Sequence, residues 1–309
     1  MQSNIIMAHK QEKFFEYLQL KKYTLETCTG VVKTITRFAQ WAEEKNIPLL
    51  DVSYNDVMAY VAHCRSKRNA PRTLQIVVLH LRFYYAFLLS ENDVQDNPCS
   101  NIEIKGVKRK MLYETFTPEE LENLYRAYAS LDISKSGIGS RITHKRNKVL
   151  LGLVIYQGLR TQELAELKVS DVKLQEGKIK IEGSLRTEGR ELKLEAFQLY
   201  DMMDYINETR KLIMAISGKE TNQLFTSLGG GENFSNITDK LLRALRKIDK
   251  RVKETKQLRG SVITNWLKVH NIRKVQYMAG HRYVSSTENY QANNMDDLKE
   301  DVNRYHPDL

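Results

Sequence analysis

Several large protein classes are excluded by what this sequence does not contain. No apolar run approaches the roughly 20 residues that a membrane-spanning helix needs. The polar stretch Met1 to Lys13 carries no signal-peptide core. Cysteine is scarce: Cys28, Cys64 and Cys99 are an odd number without CxxC spacing. That pattern indicates neither a zinc site nor a disulfide framework, and it suits buried thiols in a reducing compartment. The run Gly229-Gly230-Gly231 lacks the Lys-Ser/Thr ending of a phosphate-binding loop, so no nucleotide role is assigned to it. There are no internal repeats and no low-complexity tracts. The expectation is a cytoplasmic protein without membrane, metal or nucleotide cofactor.

The chain has 309 residues, room for two domains, and its 41% hydrophobic content is enough for real cores. Net charge is +10, with a pI near 9.3. A polyanionic partner follows, most simply DNA or RNA, with an acidic membrane surface as the other reading.

The hydrophobic pattern predicts a mainly α fold. From about Lys10 to Leu89 the apolar residues recur at helical spacing: Val31, Ile35, Phe38 and Trp41, then Val57, Tyr60 and Val61, then Leu74, Val77, Leu81, Tyr84 and Leu88. Ser53 with Asp56 reads as a helix N-cap, Ala70-Pro71 opens a long helix, and Asn97-Pro98 breaks the pattern. Residues 8–104 are therefore expected to form a helical bundle. A basic connector follows at 105–116, with Lys105, Lys108, Arg109 and Lys110 around Gly106; it is either a solvated linker or a segment lying along a phosphate backbone. Thr117-Pro118-Glu119-Glu120 starts the next helix and opens a domain over 117–309.

Within that second domain, helices are expected at Asn147–Tyr156, Thr161–Leu167, through Ile213, Leu241–Val252, Arg259–Val269 and Arg273–Met278. Lys178–Ile181 and Glu191–Leu194 alternate in polarity around a turn at Gly183–Arg190, which predicts a small β-hairpin. Met295, Leu298, Val302 and Tyr305 recur at three- and four-residue steps and predict a terminal helix over 295–305. It either packs on its own domain or docks on a neighbour.

Three requirements define metal-free cleavage of a phosphodiester. They are a nucleophile, cations for the non-bridging oxygens, and an acid for the leaving oxygen. Tyrosine suits the first because its phosphodiester keeps the bond energy. Arginine suits the second because its fork matches phosphate oxygens bidentately. Each piece alone is commonplace, since a lone tyrosine is usually core and a lone arginine is usually on the surface. The order is not commonplace: Gly158-Leu159-Arg160 with Glu163-Leu164, then Arg259, then Gly280-His281, then Thr287 and Tyr290, with Tyr290 nine residues after His281.

In order and spacing these elements resemble the tyrosine recombinases, or phage-integrase family, and the likeness spans essentially the whole chain. The resemblance implies a helical core-binding domain followed by a catalytic domain, gripping opposite faces of double-stranded DNA. It implies that Arg160 and Arg259 clamp the scissile phosphate, that His281 hydrogen-bonds a non-bridging oxygen, and that Tyr290 attacks to form a 3′-phosphotyrosyl link. It also implies a homotetramer on two duplexes, a terminal helix that docks in trans, accessory DNA-bending proteins as further partners, and no cofactor. The wording Val275–His281 followed by Val284–Thr287 is nearer recombinases of bacterial mobile elements than chromosome-dimer resolvases.

This sequence departs from the family pattern twice. The family's His-x-x-Arg is Lys256-x-x-Arg259 here, and lysine can still donate to phosphate. The hairpin lysine is missing: 24 residues after Arg160 stands Ser184, with Arg186, Lys180, Arg190 and Lys193 nearby. Arg186 is the candidate on the hairpin and Lys256 the better acid, because a guanidinium gives up its proton poorly. A type IB topoisomerase would use the same residues but religate the original strand. A non-catalytic DNA-binding protein could keep the same fold. The helical N-terminal region favours recombination over the first, and retention of Arg160, Arg259, His281 and Tyr290 argues against the second.

Overall fold

A computed structural model describes residues 2–107, 114–185, 187–229 and 233–291. The chain divides into two compact units, Met1–Met111 and Leu112–Leu309. The terminal helix expected at 295–305, most of the glycine run, and Lys108, Arg109 and Lys110 of the connector lie outside the described residues.

The first unit contains α1 (Gln2–Leu20), α2 (Leu25–Glu44), α3 (Tyr54–Ser66) and α4 (Pro71–Ser90). Local chemistry sets the starts. The Thr24 hydroxyl caps α2, Ser53 and Asp56 form a reciprocal capping box on α3, and Pro71 occupies the first turn of α4, where its missing N–H costs nothing. The expected apolar faces meet in one core, with Val31, Phe38, Val57, Leu74, Leu81 and Leu88 all buried. By length and composition α4 is apolar enough to cross a membrane, although no such run stood out in the sequence. Only Arg72 and Arg82 interrupt it with full charges. One side of α4 is bundle core, and Arg82 donates to the carbonyls of Cys99 and Ile102, tying down the segment beyond the helix. The three cysteines are buried and free, and burial pushes the Cys99 thiol up to about 12.

The second unit runs α5 (Pro118–Ala129), α6 (Ile138–Tyr156), α7 (Thr161–Glu166), β1 (Val172–Lys173), β2 (Lys178–Ile181), β3 (Arg190–Lys193), α8 (Ala196–Asp204), α9 (Arg210–Ser217), α10 (Phe234–Ile248), α11 (Thr255–Val269) and α12 (Ile272–Ala279), with residues 285–291 helical beyond it. The sheet is antiparallel in the order β1-β2-β3, with Ile179 opposite Leu192 and Ile181 opposite Arg190. The expected hairpin is present, and β1 is an addition too short to carry a period. α6 starts earlier than its apolar run because polar Arg141, Thr143 and Lys145 fill its first turns. α10 stops before Val252, where Arg251 pairs with Asp249 and turns the chain.

One face of α11 is committed to the chain that enters the unit. Gln257 donates to the Glu114 carbonyl at 3.0 Å, Ser261 accepts from the Phe116 N–H at 2.9 Å, and Asn265 donates to the Phe116 carbonyl at 2.9 Å. These residues are four apart, so they share a face, and Arg259 projects on another side of the same helix.

Candidate active site

The site begins at two glycines. Gly158 follows α6 with φ +59°, and a Cβ there would stand 3.0 Å from the Trp266 ring. Only glycine adopts that backbone readily. The tight turn places Arg160 at the N-cap of α7, where its N–H donates to Glu163 Oε2 at 2.8 Å. Gly280 ends α12 with φ +61°, and a Cβ there would collide with the guanidinium of Arg190. Both glycines of the Gly-Leu-Arg and Gly-His signatures therefore have steric causes.

Glu163 is the centre of the cluster. Its side chain is 7% exposed and accepts a fork from Arg190, Nη1 to Oε1 and Nη2 to Oε2, each at 2.9 Å. The Arg190 side chain is fully buried, and its Nε donates to the Met278 carbonyl at 2.8 Å. Arg160 Nη1 and Arg259 Nη1 each lie 3.8 Å from a Glu163 oxygen. Burial alone would raise the Glu163 carboxyl, but the Arg190 hydrogen bonds and charge, the Arg160 N–H and Arg259 hold it below its ordinary range.

Arg259 is buried on α11. It donates through Nη1 to the Gly158 carbonyl and through Nη2 to the Ala279 carbonyl at 2.7 Å. It thus ties the two glycine turns together. Burial, followed by repulsion from Arg160, pulls its guanidinium below the usual arginine value. Arg160 retains 30% side-chain exposure, so it faces both the cluster and solvent.

His281 is buried, with Nδ1 2.9 Å from Thr287 Oγ1 and Nε2 3.4 Å from Arg259 Nη2. Burial, then the charges of Arg259, Arg160 and Arg190, lower the imidazole to about 3, so it is neutral at pH 7. The Tyr290 ring lies parallel to it, centroids 5.8 Å apart and planes 12° apart, and packs over Gly260 with a part-buried face. With His281 neutral, the guanidiniums of Arg160, Arg190 and Arg259 against the carboxylate of Glu163 leave two positive charges in excess.

Two families of sequence model match the chain: "Phage integrase family" over residues 114–297, more than half of its length, and "Phage integrase, N-terminal SAM-like domain" over 11–93. The chain belongs to the phage integrase family of tyrosine recombinases. It is 27% identical over 316 residues to tyrosine recombinase XerC of Bacillus pumilus strain SAFR-032, covering 97% of this chain and 98% of that one. It is 25% identical to tyrosine recombinase XerD of Oceanobacillus iheyensis, covering 98% and 99%. Among solved structures, XerH recombinase bound to its palindromic difH substrate has a similar fold, with TM-score 0.69, 18% identity, and coverage of 92% of this chain and 81% of that one. The Tn1549 transposon integrase is comparable, with TM-score 0.66, 13% identity, and coverage of 94% and 99%.

In this tyrosine recombinase the structure brings Arg160, Arg259, His281 and Tyr290 together and leaves Lys256 outside their hydrogen-bonded cluster. Lys256 is exposed on the first turn of α11, one turn before Arg259, with no hydrogen-bond or ion-pair partner among the described residues. Arg186 lies outside the described residues. The hairpin turn that carries it docks beside His281: Arg282 donates to the Leu185 carbonyl at 2.8 Å, and Glu188 N donates to the Gly280 carbonyl at 3.4 Å. Ser184, at the family's lysine position, is hydrogen-bonded to Thr187. The roles of Glu163 and Arg190 were not anticipated. The Glu163 position three after Arg160 was a usable capping signal, but nothing local announces its partner on β3.

Two outcomes follow from the cluster. Glu163→Gln leaves the buried Arg190 charge uncompensated and should destabilise the protein by about 3–5 kcal/mol in urea unfolding. His281 adds a pH dependence. Its native value of about 3 lies below the ordinary value of 6.5, so between these the unfolded chain holds a proton that the native chain lacks. Stability is then full above about pH 6.5 and falls as pH drops towards 3. Glu163, also depressed, adds a loss of the same sign at lower pH. His281→Asn should flatten the fall between pH 6 and 4; an unchanged slope would contradict the assignment.

Proposed function

We propose that the chain is a site-specific DNA recombinase that cuts and rejoins strands through a covalent tyrosyl intermediate. The observation that carries this reading is the convergence of Arg160, Arg259 and His281 beside Tyr290 in a cluster with two excess positive charges. A phosphodiester brings one negative charge, and its pentacoordinate transition state carries about two. The cluster therefore suits the transition state better than the ground state, which is the condition for catalysis.

In the cleavage step the Tyr290 phenol oxygen bonds to phosphorus and gives up its proton. The bond from phosphorus to the 5′-oxygen breaks, and that oxygen leaves as a hydroxyl after taking a proton. Arg160 and Arg259 neutralise the non-bridging oxygens, and His281 donates to one of them. The 5′-hydroxyl of another strand then reverses the reaction and frees Tyr290. One phosphodiester replaces another at each stage, so no external energy source is consumed. Lys256 supplies the leaving-group proton, and Arg186 stabilises charge from the hairpin.

Duplex DNA is the substrate, held partly by exposed cations of the second unit, including Arg243 and Lys247 on α10 with Lys250 and Lys253 beyond it. Such contacts give salt-dependent, sequence-independent affinity. The working form is a homotetramer on two duplexes in the cytoplasm, serving a mobile element with accessory bending proteins. Support for the assembly comes from a fold relative, a λ integrase solved as a tetramer on a Holliday junction.

Tyr290→Phe should bind DNA with nearly unchanged affinity yet form no covalent adduct on a nicked suicide substrate. Adducts formed by that variant would remove Tyr290 from the role. Arg259→Ala should cut the cleavage rate by about 10²–10³-fold, as loss of an oxyanion donor does, with Arg259→Lys rescuing only part.

The acid is tested with a bridging 5′-sulfur substrate, whose thiolate leaves without a proton. The defect of Lys256→Ala should shrink strongly on it, and that of Arg160→Ala should not. An equal Lys256→Ala defect on both substrates would assign the proton elsewhere.

A further inference from the structure

His281 must offer a donor to a phosphate while remaining uncharged, and the structure shows how that conflict is resolved. A neutral imidazole has one N–H and one lone pair. Arg259 faces it from α11, Arg160 from the start of α7 and Arg190 from β3; Glu163 is the opposing carboxylate, and the Tyr290 phenol lies over its ring. A fourth cation in that company is disfavoured, so the position of the single proton decides whether Nε2 attracts a phosphate oxygen or repels it.

We infer that the Thr287 hydroxyl sets the His281 tautomer by donating to Nδ1, so that Nε2 carries the proton and aims it at the phosphate. The inference rests on the recombinase reading above and deepens it. Thr287 is fully buried in the helical turn 285–291, and its Oγ1 is 2.9 Å from Nδ1. The hydroxyl has no other hydrogen-bond partner among the described residues. If the imidazole proton sat on Nδ1, the Thr287 O–H would be a buried donor with nothing to bond, which is costly. If the hydroxyl donates, both groups are satisfied and Nε2–H is left over.

Among the described residues Arg259 is the one competitor. Its Nη2 lies 3.4 Å from Nε2 and would favour a lone pair there, but that distance is beyond the normal range for an N–H bond. The same Nη2 is already engaged at 2.7 Å by the Ala279 carbonyl. The closer, buried contact from Thr287 therefore prevails. Thr287 acts through His281 and is a positioning residue.

The test uses the full chain labelled with ¹⁵N-histidine, with the His281 signal identified by its loss in His281→Gln. At pH 7.5 the wild-type and Thr287→Ser proteins should both show the Nε2–H pattern, and Thr287→Val should shift towards Nδ1–H. A wild-type spectrum with Nδ1–H overturns the inference, whether or not the protein cleaves DNA. In single-turnover cleavage, Thr287→Val should be about tenfold slower, short of the 10²–10³-fold expected for outright donor loss. Thr287→Ser should keep the wild-type rate. Equal impairment of the Val and Ser variants, both keeping the Nε2–H pattern, would reduce Thr287 to packing and overturn the inference. If Thr287→Val does not fold, the wild-type and Thr287→Ser spectra still decide it.

Discussion

A single buried carboxylate makes this site possible. Arg160, Arg190 and Arg259 would repel one another in a pocket of low dielectric, and Glu163 sits among all three. Its fork with Arg190 anchors α7 to β3, and its bond to the Arg160 N–H starts α7. Arg190 in turn reaches the Met278 carbonyl and fills the space that Gly280 leaves, which fixes where His281 begins. Arg259 closes the loop by joining the Gly158 and Ala279 carbonyls. The start of α7, β3, α11 and the end of α12 are thus held through this one cluster. Because the cluster is fixed before DNA arrives, its dipoles and charges need no reorganisation at the moment of reaction.

The helix that carries Arg259 has a second attachment. Gln257, Ser261 and Asn265 hold the segment Glu114–Phe116 along the opposite side of α11. Arg251 reinforces it by pairing with Glu114 and Glu120 and lying over the Phe116 ring. The chain entering the second unit is therefore packed on the same helix that carries Arg259.

Much of this was legible in the sequence, and the reasons are local. Apolar residues at helical spacing, such as Val31, Ile35 and Phe38, became the buried face of α2. Ser53 with Asp56 and Thr117 with Glu120 formed the capping boxes that their spacing suggests. The signature residues Arg160, Arg259, His281 and Tyr290 were visible as a family pattern, and their meeting in space followed. What was hidden depends on contacts between distant residues or on elements too short for a period. Strand β1 has two residues. Glu163 and Arg190 are 27 residues apart, on a helix and a strand. Arg190 looked like an ordinary hairpin cation, and only burial separates it from Lys180. Thr287 matched the pattern without a role, because its contact with His281 requires the turn at Tyr283–Thr287 to fold back.

The central claim is that this cluster of arginines prepares one phosphodiester for attack by Tyr290. Its most direct measurement is protease digestion and mass spectrometry of the adduct formed on a nicked suicide substrate. A single modified peptide should appear, with the 3′-phosphoryl oligonucleotide on Tyr290. Attachment to the neighbouring exposed Tyr283, or to a serine of the 284–287 turn, would contradict it.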